Sequence, residues 1–504
     1  MAGHAGPQAD VPHERRHRDR PTRLLLSPAH PAAVDAIVVG SGPNGLAAAV
    51  TLARAGLSVD CYEAADTPGG GCRTAALTLP GFRHDVCAAV HPLVAASPFF
   101  RRVDLAGHGV RLLHPDVAFA HPLDAGRAAA VVASVDDTAE GLGTDAGAYR
   151  RLFGPLARDA DRFVPTVLSP LRSAPPHPIA AARFGLPGLR SARHVARRFS
   201  GEAARALLAG AAAHAVLPLT APLSGGFGLL LTTLAHTVGW PVVEGGSAAL
   251  VGALVDELTA AGGTLRTGCR IESLADLPPA RAVLLDVTPR QLVQLADDRL
   301  RPRDRRALGA FRYGPGVCKV DWALDGPVPW AADAGRRAAT VHVGGTFEEI
   351  ARSESDVAAG RHPAQPYGIV VQPGVVDPTR APAGRHTLWG YCHVPPGSTV
   401  DMTERLEVQI ERFAPGFRDL ILARSTSTAA DVERYNPNDV GGDINGGAAT
   451  LGQTVFRPTR RWNPYRTGLP GVYLCSASTP PGGGVHGMCG YAAARVALRD
   501  LGAG

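Results

Sequence analysis

Three glycine-rich stretches of the chain have residue types and spacings suited to holding a dinucleotide. The first reads Gly40-Ser41-Gly42-Pro43-Asn44-Gly45. In such a set the first glycine permits a tight turn and the second lets backbone approach a pyrophosphate. The third lets a helix pack closely on a strand. Glu63 follows near the spacing of about 20 residues expected of an acid that binds a ribose hydroxyl. The second stretch, Gly69-Gly70-Gly71-Cys72-Arg73-Thr74, again offers bare backbone, and Arg73 can meet phosphate as a fork of donors. The third, "STPPGGGVHGMCGYAAARVALRD" from Ser478 to Asp500, sets Gly483, Gly484, His486 and Gly487 ahead of an alanine-rich run. Glycine loses more conformational entropy on folding than any other residue, so such a concentration needs a use.

The flanking patterns supply the elements that position these stretches. Val34 to Val39 is a short apolar run of the kind buried in a parallel sheet. "LAAAVTLARAG" reads as a helix ending at Gly56, and "LSVDCYE" as a second strand finishing on Glu63. A fingerprint set between strand and helix, with an acid ending the next strand, is a far stronger signal than a lone GxGxxG. Further on, Ser247 is expected to cap a helix whose Leu250, Val251, Leu254, Val255 and Leu258 share one face. "TLRTGCRI" and "ARAVLLDVTP" return as strands, and "GVYLCSAST" (471–479) is a strand leading into the third glycine turn and a final helix.

The totals bound the rest. At 504 residues the chain exceeds a single core, so two or more domains are expected. With 45% apolar and 19% charged residues it reads as a soluble globular protein. The net charge of +6 brings no Lys/Arg stripe interleaved with aromatics outside the N-terminal tail, so nucleic acid is not an expected partner. The eight cysteines form no CxxC pair, which argues against a metal site and for reduced thiols in a cytoplasmic protein. Residues 1–33 are polar and basic, and read as a disordered tail without signal peptide or anchor. The apolar run 207–240 is broken by Pro218, Pro222, Gly225 and Gly226. It reads as buried helices around an apolar pocket, and peripheral contact with a membrane is also compatible with it.

The segment after Glu63 is similar to the Gly-Gly-x-x-x-Thr element that follows the fingerprint in FAD proteins of the glutathione reductase class, so FAD is the expected cofactor. More widely, "VVGSGPNGLAAAVTLARAG", "GGGCRTAALTLPGFRHDVCAAVHPL", "GGSAALVGALVDEL" and "PPGGGVHGMCGYAAARVAL" resemble the phytoene desaturase (carotenoid desaturase-like) family within the amine-oxidase-type flavoproteins. The likeness extends to the branch called pyridine nucleotide-disulphide oxidoreductase-domain proteins. It implies an α/β fold: a Rossmann-like FAD-binding domain of glutathione reductase type with an inserted α+β substrate domain. The FAD domain is expected from 34–110, 239–300 and 456–504, the substrate domain from 111–238 and 301–455. The resemblance also implies that a residue near Ile271 meets the adenine through its backbone, and that the third stretch cradles the flavin.

Only one dinucleotide fingerprint is present and there is no CxxxxC dithiol, so quinone or O2 is expected to take the electrons. Three residues are candidates for chemistry. Lys319 is the only lysine among 51 basic residues, and either stands near flavin N5 as in related amine oxidases or forms a buried ion pair. His486 either donates to flavin N1/O2 or holds the turn, and His91 is placed to line the flavin face. Asp321, Tyr391 and His393 default to packing roles. The expected activity is an FAD-dependent dehydrogenase or desaturase acting on a hydrophobic, isoprenoid- or lipid-like substrate. An amine or amino-acid oxidase is the alternative, and a non-catalytic lipid carrier of the Rab GDP-dissociation-inhibitor type is a third reading.

Overall fold

The computed structural model describes residues 34–171 and 174–503. The tail expected over residues 1–33 lies outside the described residues. The first half carries β1 (Val34–Val39), α1 (Pro43–Arg54), β2 (Val59–Tyr62), β3 (Val117–Pro122) and β4 (Ala128–Val132). It continues with helices α2 (Ala146–Val167), α3 (Pro178–Gly188), α4 (Glu202–Ala213), α5 (Ser224–Thr237) and α6 (Ala248–Ala260). Then come β5 (Thr264–Arg266), β6 (Ala280–Leu285), β7 (Gly316–Leu324), β8 (Ala338–Val343), β9 (Gly368–Val371) and β10 (His386–Val394). The chain closes with β11 (Ile421–Ser427), β12 (Val472–Leu474) and α7 (Met488–Asp500).

Two sheets organise these elements. The first runs β12-β6-β1-β2-β5 and is parallel throughout. Val38 stands between Leu284 and Cys61, and Leu285 opposite Leu474. The apolar runs of β1 and β6 suit these central positions because helices cover the sheet. The second sheet runs β11-β7-β10-β9-β8-β3-β4 and is antiparallel except where β8 meets β3. The protein is therefore an α/β molecule whose Rossmann-like unit is accompanied by a larger mixed sheet. The run 207–240 forms α4 and α5, whose residues are mostly buried. Among the described residues no helix is long and apolar enough to cross a membrane.

Small residues bring α1 and α7 together. α1 buries Leu46 to Val50 and Leu52, and α7 packs along it. A Cβ on Gly490 would stand 1.7 Å from the carbonyl oxygen of Asn44, so the two helices meet backbone to backbone. Both therefore begin at the same edge of the parallel sheet, beyond the carboxyl ends of β1, β6 and β12, where open α/β sheets bind ligands.

Strand lengths differ from the sequence reading. β5 stops at Arg266 and β12 at Leu474. After Arg266 the chain turns at Gly268, and the amide of Cys269 is held by the carbonyl of Glu63, 2.7 Å away. After Leu474 the hydroxyl of Ser476 donates to the Val287 carbonyl at 2.7 Å, which bends the chain toward the glycine turn.

Candidate functional site

The first glycine stretch forms the expected turn. Gly40 sits at φ +98°, and its amide donates to the Tyr62 carbonyl at 2.7 Å. Gly42 caps α1 with Pro43 as the first helical residue, a position where a missing N–H costs nothing. A Cβ on Gly45 would stand 2.0 Å from the Gly40 carbonyl oxygen, so glycine alone closes the turn. Glu63, at the end of β2, accepts from the Ser41 amide (2.9 Å), the Ser41 hydroxyl (2.6 Å) and the Ala65 amide (2.9 Å). It thus projects beside the glycine turn at the mouth of a cavity of about 370 Å³, whose walls include Gly40, Arg73, Ile271 and Leu295.

A second cavity, about 280 Å³, continues from the first. Gly42, Gly70, Asp286, Asn436 and Asn438 line both, so they mark the junction. The second glycine stretch is docked there: the Gly69 amide donates to the Ser41 carbonyl at 3.1 Å, and a Cβ on Gly70 would lie 3.2 Å from the Gly42 Cα. Gly71 also lines this second cavity. Its hairpin is pinned by Asp85, which accepts from the Thr74 hydroxyl (2.8 Å), the Ser247 amide (2.7 Å) and the Arg380 guanidinium (2.6 Å). From the third stretch Gly484 lines the second cavity, while Gly483 packs on the Asn445 backbone and Gly487 on Phe99. The remaining wall is largely apolar and aromatic, with Leu231, Trp240, Ile369, Val371, Trp389 and Tyr391.

The candidate side chains fall into different places. His91 lines the second cavity, and its Nε2 lies 2.8 Å from the Ser247 hydroxyl. Because that hydroxyl donates to the Ala88 carbonyl, Nε2 must carry the proton, and Nδ1 is left without a hydrogen-bond partner. Burial lowers His91 to about 4, so the ring is a neutral acceptor. Ser247 is the N-cap residue of α6, as expected from the sequence, but its hydroxyl has tertiary partners and makes no side-chain hydrogen bond to the helix amides.

His486 is turned into its own loop. Its Nδ1 accepts from the Met488 amide at 3.0 Å, and its Nε2 faces the Gly482 carbonyl at 3.2 Å. With both nitrogens used by backbone, and Gly484 and Val485 rather than His486 on the cavity wall, its place is that of a turn organiser. Arg73 likewise spends its fork on the Thr67 carbonyl (2.7 Å) and on Glu63 (3.4 Å), and lies over the Tyr435 ring, so it sits beside Glu63 in the first cavity and not at the junction.

Lys319 is buried on β7, hydrogen-bonded to Asp321, with its ammonium 5.6 Å from the centre of the Trp389 ring. It lines a small side cavity of about 110 Å³ with Gly70, Gly71, Cys87, Tyr391 and Asp439. Burial raises Asp321 to about 6 against the pull of Lys319, and raises Asp439 to about 8 with Asp443 adding to the effect.

Two parts of the site carried no expectation from sequence. Asp286 follows β6 and its Oδ2 accepts from the Gly45 amide at 2.9 Å; burial, with the nearby Glu63 charge, raises it to about 7. The second part is the loop 436–447, "NPNDVGGDINGG", which falls inside the segment 301–455, with no part in the site expected from its sequence. Asn438 donates to the Asp286 carbonyl at 2.8 Å, and Asp443 gathers the amides of Gly314, Asn445 and Gly447 within 2.9 Å. The loop therefore closes the junction of the two cavities. Its four left-handed glycines, Gly441, Gly442, Gly446 and Gly447, were the signal that could have flagged it.

The fold and this paired cavity define a Rossmann-type dinucleotide-binding protein, and comparison with known proteins agrees. Residues 38–103 match the family described as NAD(P)-binding Rossmann-like domain. Along its length the chain is similar to the rat protein called pyridine nucleotide-disulfide oxidoreductase domain-containing protein 2, with 26% identity over 93% of this chain and 94% of that one. It is also similar to a phytoene dehydrogenase of Streptomyces griseus, with 28% identity over 89% and 92% of the two chains. Among solved structures, a putrescine oxidase double mutant shares the fold at a TM-score of 0.57 and 15% identity, over 93% of this chain and 99% of that one. The relatives are thus oxidoreductases by name, and the architecture is one that amine oxidases also use.

Proposed function

We propose that this protein is an FAD-dependent oxidoreductase, a dehydrogenase or desaturase that removes hydride from a hydrophobic, isoprenoid- or lipid-like substrate and passes the electrons to quinone or O2. The observation that carries this reading is the pair of cavities joined at Gly42, Gly70 and Asp286. The glycines fit FAD because side chains there would fill the path of its backbone-hugging diphosphate. Glu63 would take the ribose hydroxyls, the wall at Ile271 would face the adenine, and Gly71 with Gly484 would flank the flavin. When bound, FAD supplies a two-electron acceptor for the hydride.

The chain's own groups account for the other requirements. Trp240, Trp389, Ile369 and Val371 give the substrate end an apolar wall that excludes water. His91 lines the same cavity as a neutral ring whose Nδ1 is buried and without a hydrogen-bond partner. Lys319 keeps a fixed cation at the edge of the site.

A second reading, amine oxidation, has one observation in its favour: Trp389 and Tyr391 stand edge to face, 5.2 Å apart, as in an aromatic cage. Against it, the rest of that wall, with Leu231, Trp240, Ile369 and Val371, is largely apolar and suits an uncharged substrate. Anaerobic mixing of the flavin-loaded protein separates the two. Bleaching of the flavin by polyprenyl hydrocarbons or lipids supports desaturation; bleaching by amines alone, with peroxide on admitting air, overturns it in favour of the second reading.

A further inference from the structure

One face of α3 exposes large apolar side chains. Ile179 and Leu186, seven residues apart on the helix, are 76% and 69% exposed, and Leu189 just beyond it is 49% exposed. The helix is nevertheless held firmly. Phe184 stacks on Phe163 of α2 with ring centres 4.6 Å apart, and Gly188 lies against the Gly226 backbone of α5. The exposed leucine and isoleucine are thus presented by a seated helix.

Charge is distributed just as unevenly. Between Asp161 and Glu202 the chain has seven arginines and no aspartate or glutamate. Arg162 and Arg183 pair with Asp159. Arg190, Arg197 and Arg198 are exposed and form no ion pair with a described residue. Between α2 and α3 runs a groove of about 480 Å³ with an apolar floor at Leu152, Leu156 and Pro187, ringed by Arg151, Arg183 and Arg198.

We propose that α3, with its apolar face and the arginine-ringed groove beside it, docks the protein on an anionic lipid bilayer. Large exposed apolar side chains on a rigid helix mark an interaction face, and a rim with a net excess of arginine, of which only Arg183 is paired with a described carboxylate, selects a partner dense in negative charge. A bilayer of anionic lipid meets both demands: Ile179, Leu186 and Leu189 enter the acyl boundary while the guanidiniums hold phosphates, bidentately where the groove allows. A second copy of the chain would bring the same arginines against one another. The docked face also lies one helix from the site: α3 packs on α5, whose Leu231 lines the second cavity, and His214, just beyond the end of neighbouring α4, lines it too. An apolar substrate could thus pass from the bilayer to the cavity along α5. The surface goes beyond the oxidoreductase reading and stands without it.

The test is co-sedimentation of the full chain with vesicles of phosphatidylcholine alone or of phosphatidylcholine with phosphatidylglycerol. Binding is expected to the anionic vesicles only and to be released by high salt, since surface attraction is screened. Arg198→Gln should weaken it about five-fold, the effect of one basic residue near an anionic surface. Leu186→Glu should weaken it about ten-fold or more through loss of apolar insertion. Both positions are exposed, and circular dichroism with flavin content checks that the fold is unchanged. The proposal fails if anionic vesicles are not bound, if neutral vesicles are bound equally, or if Leu186→Glu binds like the native chain. A dimer in solution that Leu186→Glu dissociates would also overturn it, by giving the face to a second copy.

Discussion

The amide of Gly45, in the first turn of α1, donates to the carboxylate of Asp286 at the end of β6, 2.9 Å away. The N-terminus of α1 is where a diphosphate is expected, and Asp286 shares that place with Gly42 and Gly70 at the junction of the two cavities. The groups that act on this carboxyl include Glu63 from the end of β2, while Cys61, Cys475 and Cys489 stand near it from β2, the end of β12 and α7. None of them is a cation. A bound diphosphate would add negative charge and favour the protonated acid still more.

This sets a pH dependence for cofactor affinity. With Asp286 raised from 3.8 to about 7, the site takes a proton as pH falls through that value. FAD should bind most tightly below pH 7 and lose up to about ten-fold per pH unit above it. Asp286→Asn should flatten the profile, as measured by quenching of FAD fluorescence. Stability follows the same sign. The folded state holds a proton that the unfolded state has lost between 3.8 and about 7, so native stability falls as pH rises through that window, and the asparagine variant should not show the fall.

The glycines divide by what surrounds them. A Cβ at Gly42 meets only the side chain of Asp286, at 2.9 Å, whereas one at Gly45 meets the Gly40 carbonyl at 2.0 Å. Gly42→Val should therefore fold but purify without flavin, with FAD affinity reduced about 100-fold or more. Gly45→Val should lose soluble protein altogether. Retained stoichiometric flavin in Gly42→Val would contradict the assignment of the first turn.

Asp443 holds the loop over the junction by accepting three amides. Asp443→Ala leaves those buried donors unpaired at about 1–3 kcal/mol each, so a large drop in melting temperature and faster FAD release are expected. Thermal denaturation and dialysis against buffer read the two effects.

The Lys319–Asp321 pair is buried, and removing one member strands the other. Lys319→Met should cost about 3–5 kcal/mol near pH 8. The cost should shrink near pH 5, where Asp321, already raised to about 6 with lysine present, takes up a proton. The double variant with Asp321→Asn should recover most of the loss. If Lys319 also serves the chemistry, Lys319→Arg will keep its flavin and yet slow reoxidation by O2; unchanged kinetics would leave it structural.

Local pattern made the β1–α1–β2 unit legible, because strand, glycine turn, helix and Glu63 are contiguous and each is dictated by its own residues. The strands beyond 264 and 471 are shorter than their apolar runs, since Gly268 and the hydroxyl of Ser476 redirect the chain through contacts distant in sequence. Ser247 stands at the N-cap of α6 as its place in the sequence indicates, but its hydroxyl is committed to Ala88 and His91 from far along the chain and does not cap the helix amides. Asp286 and the loop 436–447 were opaque because their role exists only once β6, α1 and the third glycine stretch are assembled. His486 was read from its neighbourhood of glycines, and only the fold reveals that the backbone of its own turn, at Gly482 and Met488, consumes both of its nitrogens.

The visible absorption spectrum of the purified protein tests the central claim most directly, with the supernatant after denaturation run to identify the released flavin. Flavin bands with one FAD per chain are the expected result. A colourless protein that also rejects added FAD would contradict it and leave a lipid carrier built on this fold as the better account.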